Sequence, residues 1–261
     1  MARLPSRHRR LSARGQDAPQ WPAGYGRVVL DTVDSTNAEA LRRAPGLGGP
    51  CWVLALRQTA GRGRRGREWV DPAGNFAASL VMRLDEPPSR LALRSFTAAL
   101  ALHEALSELT GLGASFAIKW PNDVLLNGGK LSGVLLESGA SGLLVIGIGV
   151  NLRAAPPADA EARFPPVSLR AESGFDIGPE TLLDHLAPAF AHWEERLRTY
   201  GFGPVRAAFL ERAARLGGTI TARTMTETFE GRFDTIDETG ALVLQTAMGR
   251  VTIPAADVYF P

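Results

Sequence analysis

Among 261 residues the chain has only two lysines, Lys119 and Lys130, against 27 arginines. Arginine and lysine exchange freely on a solvated surface, but not where a compact ammonium must reach a confined oxygen, so the two survivors are candidates for chemistry. Lys119 opens the block Lys119-Trp120-Pro121-Asn122-Asp123, and Lys130 follows eleven positions later in Gly128-Gly129-Lys130-Leu131. Read alone, the first block is equally an Asx-type turn with Trp120 in the core. Together the lysines flank one strand-turn-strand unit and could converge on a polyphosphate, an arrangement that suits charge neutralisation better than proton abstraction. A second cluster lies upstream, where Arg62, Arg64, Arg65 and Arg67 alternate with Gly61, Gly63 and Gly66. Four guanidiniums so close repel one another unless solvent or an anion stabilises them. The glycines free backbone N–H groups to turn on a ligand, which favours capture of a phosphate or carboxylate over a merely solvated or nucleic-acid-binding patch.

Several common templates fail. Gly61-Arg62-Gly63-Arg64-Arg65-Gly66 spells G-x-G-x-x-G, but Pro72, Gly74 and Asn75 follow where a dinucleotide fold needs a helix. Lys130 lacks both the earlier glycine and the adjoining Ser or Thr of a Walker loop. One cysteine, Cys51, and four scattered histidines (8, 103, 185, 192) give no zinc spacing and no internal disulfide. There is no Gly-x-Ser-x-Gly elbow.

Composition is that of a globular protein, 45% apolar and 21% charged. Residues 1–27 hold six arginines against Asp17, leaving 23 basic against 26 acidic residues in the rest. The basic character therefore belongs to the tail, and bulk charge implies no nucleic acid. No apolar run reaches the length of a bilayer span and the start has no secretory pattern, so a cytoplasmic protein without a membrane partner is expected.

Periodicity gives the elements that must position these residues. Val28–Asp31, Trp52–Leu56 and Phe76–Met82 read as strands, Ala38–Arg43 as a helix capped from Asp34-Ser35-Thr36-Asn37, and Leu91–Leu109 as one long amphipathic helix stopped by Gly111. Then come strands Phe116–Trp120, Asp123–Leu126, Leu131–Glu137 and Leu143–Val150, the middle two joined by an Asn127-Gly128-Gly129 hairpin turn. Gly147 and Gly149 in the last strand suggest that something approaches its backbone closely. A proline-rich linker, 153–179, precedes helices Pro179–Tyr200 and Val205–Leu216. Strands Thr219–Arg223, Thr228–Ile236, Ala241–Gln245 and Arg250–Ile253 then suggest a small β barrel. The class is α+β with a C-terminal β module.

Taken together, Asp34-Ser35-Thr36-Asn37, the run Gln58-Thr59-Ala60-Gly61 through Arg67-Glu68-Trp69, Lys119 to Val124, Gly129-Lys130-Leu131-Ser132-Gly133 through Glu137, and Ile146 to Asn151 resemble the biotin protein ligase family. The resemblance implies a mixed sheet with helices related to class II aminoacyl-tRNA synthetases, followed by an SH3-like barrel. It divides the chain into a flexible Arg-rich extension (1–27), a catalytic biotin- and ATP-binding domain (28–216) and a C-terminal SH3-like domain (217–261). It also implies a two-step reaction with Mg2+ accompanying ATP: biotin is activated to biotinyl-5'-AMP, then passed to a lysine of a biotin carboxyl carrier protein. By the same resemblance Ser35, Thr36, Asn37, Gln58, Arg62, Gly63, Arg64 and Lys119 bind biotin. Arg64, Arg65, Trp69, Asn122, Lys130 and Asn151 bind ATP or the adenylate, with Asp123 near them. Arg62 and Arg64 form a covering loop, and Lys119 is expected at the reacting atoms as the principal catalytic residue. The residues before Val28 are too few and too proline-broken for the DNA-binding domain that some relatives carry. A lipoate or octanoate enzyme of the same fold and a non-catalytic nucleotide- or nucleic-acid-binding module remain the alternatives.

Overall fold

The computed structural model describes residues 19–63, 66–139, 142–157 and 164–260. In chain order the elements begin with β1 (Gly26–Leu30), α1 (Thr36–Arg43), β2 (Cys51–Ala55), β3 (Phe76–Arg83), α2 (Pro88–Leu91) and α3 (Arg94–Thr110). Next are β4 (Phe116–Lys119), β5 (Asp123–Leu126), β6 (Gly129–Lys130), β7 (Ser132–Ser138) and β8 (Leu143–Val150). Helices α4 (Leu169–Ser173), α5 (Pro179–Tyr200) and α6 (Phe202–Arg212) lead to strands β9 (Thr219–Arg223), β10 (Thr228–Ile236), β11 (Leu242–Thr246), β12 (Gly249–Ile253) and β13 (Asp257–Tyr259).

The main sheet runs β1-β2-β3-β8-β7, with β1 and β2 parallel and the other pairs antiparallel. Strand alternation gives it two unlike faces. Trp52, Leu54, Phe76, Ala78, Leu80, Ile146 and Ile148 join the main core with α3 and α5. On the opposite face Cys51, Val53, Val81 and Val145 pack with Ala40 and Ala44. Further along that second face the side chains shrink to Ala77, Ser79, Gly133, Gly147 and Gly149, and this is where a cleft opens. Burial of the fully enclosed guanidinium of Arg94 between Glu86 and Glu194 fastens α3 to α5.

The expected long helix is divided into α2 and α3, and Gly111 ends α3 in the left-handed conformation, its N–H bonded to Ser107 O at 2.8 Å. The Asn127-Gly128 turn does make a hairpin, but its return strand is the two-residue β6. The run expected to complete it is cut at Leu131, whose N–H goes back to Val124 O, and β7 crosses to the main sheet. The linker contains α4, capped by Ser168 Oγ. Of the extension expected over 1–27, the first eighteen residues lie outside the described ones. Its end is packed: Trp21 bonds Tyr25 O, and Arg27 pairs with Glu180 and Asp184 on α5.

The C-terminal strands form one antiparallel sheet in the order β12-β11-β10-β9-β13. The last strand was not expected from the sequence. This sheet shares the main core, and Gly240 shows how closely the parts fit. Its φ is +85°, a Cβ there would stand 2.7 Å from the Phe96 ring, and its carbonyl accepts the Trp120 indole N–H at 2.9 Å.

Candidate functional site

A cleft of about 360 Å³ lies on the small-residue face of the main sheet. One end is polar and neutral. The start of α1 carries Ser35, Thr36 and Asn37 against β3 and β8, all three buried. The Thr36 backbone N–H donates to Gln58 Oε1 at 2.8 Å, and the Thr36 hydroxyl lies 3.1 Å from the same oxygen. Ser79 Oγ lies 2.5 Å from Asn37 Oδ1 and 2.8 Å from Thr36 Oγ1, and Asn37 Nδ2 donates to Glu137 Oε2 at 2.6 Å. Gly147 leaves the space that the Asn37 amide fills. Behind Gln58, Asp71 Oδ2 accepts the Gln58 backbone N–H at 3.1 Å, and burial pushes the Asp71 carboxyl up. At the outer edge Arg42 holds the Asp34 carboxyl well below its ordinary range.

The middle of the floor is glycine. Gly133 and Gly149 are register partners on β7 and β8, and the Trp69 indole lies across them. Any side chain at Gly149 would collide with that ring, and a Cβ at Gly133 would stand 3.2 Å from it. Asp123 Oδ1 is 3.8 Å from the same point over Gly133, so the indole leads from the polar end to the charged one. The arginine-rich segment leaves and rejoins the site at Gly61 and Gly63, through Trp69 N to Gly61 O (3.0 Å) and Gly63 N to Arg67 O (2.7 Å).

The charged end is built by β4, β5 and β6. Lys119 and Asp123 face each other as register partners, and Lys130 is opposite Leu125. Both ammoniums stand 3.0 Å from the same oxygen, Asp123 Oδ2. Two ammoniums thus meet at one carboxylate, in a cleft that Asp257 also lines.

The two lysines therefore meet, but they are not equivalent. Lys130 lines the cleft and is one-third exposed. Lys119, expected at the reacting atoms, is more enclosed: its side chain is only a tenth exposed, and its ammonium lies against two lining residues, held by Asp123 and 4.6 Å from the Phe164 ring. Of the other expected residues, Ser35, Thr36, Asn37, Gln58, Arg62, Gly63, Trp69 and Asn151 line the cleft with Asp123. Asn122 is buried outside the lining, donating to Val134 O. Arg64 and Arg65 lie outside the described residues. Trp69 Nε1 and Asn151 Oδ1 are buried without a hydrogen-bond partner among the described residues, a donor and an acceptor on the wall that a polar ligand would satisfy.

Ser79, Asp71 and Glu137 were given no role from the sequence, although Glu137 closes a quoted motif. Only the register of β3, β8 and β7 brings Ser79 and Glu137 to Asn37. No group of three or more His, Cys, Asp or Glu that could hold a metal occurs among the described residues, and Asp123 Oδ2 already serves two ammoniums. The donor set does not build a protein-held metal site. No helix among the described residues is long and apolar enough to cross a membrane.

Comparison with known proteins fits this geometry. Residues 29–151 match the model of the Biotin/lipoate A/B protein ligase family, and 216–260 match that of the Biotin protein ligase C terminal domain. The chain is 57% identical to a biotin–[acetyl-CoA-carboxylase] ligase of Paracoccus denitrificans over 238 residues, which is 89% of this chain and 99% of that one. It is 34% identical to the bifunctional ligase/repressor BirA of Bacillus subtilis, over 79% of this chain and 65% of that one. The structure of the Aquifex aeolicus biotin protein ligase in complex with biotin and ATP superposes with a TM-score of 0.80 at 25% identity, covering 90% of this chain and 99% of that one.

Proposed function

The chain belongs to the biotin protein ligase family, and on that premise we propose that it activates biotin with ATP and transfers it to a lysine of a biotin carboxyl carrier protein. The observation that carries this reading is the unlike pair of ends within one cleft: neutral hydrogen-bonding groups at one, two ammoniums at the other. A ureido ring with N–H donors and a carbonyl suits the first. A carboxylate and a triphosphate suit the second.

In the first step a biotin carboxylate oxygen attacks the α-phosphorus, the bond to the β-phosphate breaks, and pyrophosphate leaves. Two anionic groups must approach for this, so the largest contribution is fixed positive charge. Lys119, held at Asp123, is assigned to the biotin carboxylate and α-phosphate, where the oxygens react, and Lys130, on the cleft wall, to the phosphates beside it. The glycine floor and Trp69 fix the extended ligand between the ends, which turns the encounter into a positioned reaction. Arg62, Gly63, Arg64 and Arg65 cover the acyl adenylate and keep water from the anhydride. In the second step the carrier's amine attacks the acyl carbon and AMP departs.

Magnesium is assigned to the nucleotide, arriving as the counter-ion of the triphosphate. Asn151 is assigned to the adenylate side, with Asn122 buried beside the lining residue Asp123 as its support. The C-terminal sheet is assigned to the SH3-like class, with a boundary near residue 217. The test is a mass measurement: a biotin carboxyl carrier domain incubated with the protein, biotin and MgATP gains one biotinyl group on a single lysine. Modification by lipoate instead, or no modification, would overturn the assignment.

A further inference from the structure

Glu137 ends the motif that carries Lys130, yet none of the chemistry above uses it. Its carboxylate lies at the end of a hydrogen-bonded chain whose direction can be read from the atoms alone. An ionised carboxylate only accepts, so the group 2.6 Å from Glu137 Oε2 must be the Asn37 amide nitrogen. That choice turns Asn37 Oδ1 toward Ser79. Oδ1 also only accepts, so the single Ser79 proton, 2.5 Å away, is committed to it. Ser79 Oγ is left as an acceptor for the Thr36 hydroxyl at 2.8 Å, which has Gln58 Oε1 at 3.1 Å as its other acceptor. The Ser79 hydroxyl proton and an Asn37 amide proton thus both point toward Glu137. Such chains polarise cooperatively when they end on a charge.

We propose that Glu137 is a positioning residue that fixes the proton direction of the Thr36–Ser79–Asn37 chain, so that the wall offers acceptor oxygens to the ureido N–H groups of biotin. The proposal rests on the biotin reading. Without Glu137 the Asn37 amide is free to turn over, Ser79 then receives a donor, and the chain reverses to present donors where the ligand also has donors. The same carboxylate is 3.9 Å from the Arg62 guanidinium of the covering loop, so its effect on the wall must be separated from its effect on the loop.

The experiment measures biotin-dependent ATP–pyrophosphate exchange for the wild type, Glu137→Ala, Glu137→Gln and Arg62→Ala, with biotin and with a biotin methylated on one ureido nitrogen. Expected in Glu137→Ala is a KM for biotin raised roughly tenfold, about the worth of one charge-assisted hydrogen bond, with the KM for ATP within about twofold. Preference for biotin over the methylated analogue falls by a similar factor. Glu137→Gln, whose side-chain oxygen still accepts from Asn37, stays within about threefold of wild type. A swap makes the test independent of how Glu137→Ala folds. Asn37→Asp alone opposes two carboxylates, and Asn37→Asp with Glu137→Gln restores a donor–acceptor pair and regains about tenfold in biotin KM over the single variant. Unchanged discrimination in Glu137→Ala, full reproduction of its effect by Arg62→Ala, or no recovery in the swap would each overturn the proposal. Absence of biotin-dependent exchange in the wild type would remove the ligase reading beneath it.

Discussion

The two ends of the cleft are stabilised in opposite ways. At the polar end Thr36, Ser79 and Asn37 are bonded to one another, to Gln58 and to Glu137 within the protein. At the charged end two ammoniums share one carboxylate oxygen, so each keeps donors that an anionic ligand can take. A neutral ring is best recognised by a wall whose hydrogen bonds are already directed, since reorganisation would consume binding energy. An anion in transit is best stabilised by charge the protein leaves uncompensated. The glycine pair 133 and 149, with Trp69 across it, lets one ligand touch both.

The largest effect expected from this contrast is at Lys130. Lys130→Ala should lower kcat/KM for adenylate formation by about 10²–10³-fold, the usual cost of removing one group that stabilises developing charge. Lys130→Arg should recover only part of it, because a planar guanidinium does not replace a compact ammonium. Pyrophosphate release measures both, and a loss under twofold would take the reaction away from that end.

Asp123→Asn should cost about 3 kcal/mol of stability, because it leaves the buried Lys119 ammonium without its carboxylate. Urea unfolding reads this directly. Ser79→Ala at the other end removes one neutral link and should cost only about 1 kcal/mol. It should weaken biotin roughly fivefold and leave ATP unaffected in equilibrium binding. Equal costs for the two variants would erase the distinction between the ends.

The smallest effect concerns salt. Raising ionic strength from about 0.05 to about 0.5 M should weaken ATP several-fold while biotin stays within about twofold, since screening acts on charge and not on neutral hydrogen bonds. Parallel weakening of both ligands would show that charge governs the whole cleft.

Much of this site was legible in the residues. The rarity of Lys119 and Lys130 marked the charged end, because composition records where lysine could not be replaced. Gly147 and Gly149 marked a close approach, and Asn37 and Trp69 make it. That both ammoniums meet on one oxygen of Asp123 was beyond the sequence: it follows from the pairing of β4 with β5 and of β5 with β6. Ser79 and Glu137 were invisible for a related reason. A serine inside a strand and a glutamate near the end of one carry no local signal until register places them beside Asn37.

The fold was read similarly. Long periodic strands such as β8 and β10 and the helix α5 were legible with the boundaries observed. Short elements were not. The five residues of α4 and the three of β13 are too few to show a period, and both depend on contacts far away in sequence. The hairpin after Leu126 is shorter than the sequence suggests, because Leu131 and the apolar Val134–Leu136 read as one strand continuing from the turn. Its break is one backbone hydrogen bond, Leu131 to Val124.

That neutral and cationic ends act on a single ligand is tested most directly by equilibrium binding of a non-hydrolysable biotinyl-adenosine sulfamate. Joined substrates spanning one cleft should bind at least about 10³-fold more tightly than biotin or ATP alone and displace both. Binding no tighter than biotin, or biotin still binding at saturating analogue, would contradict it.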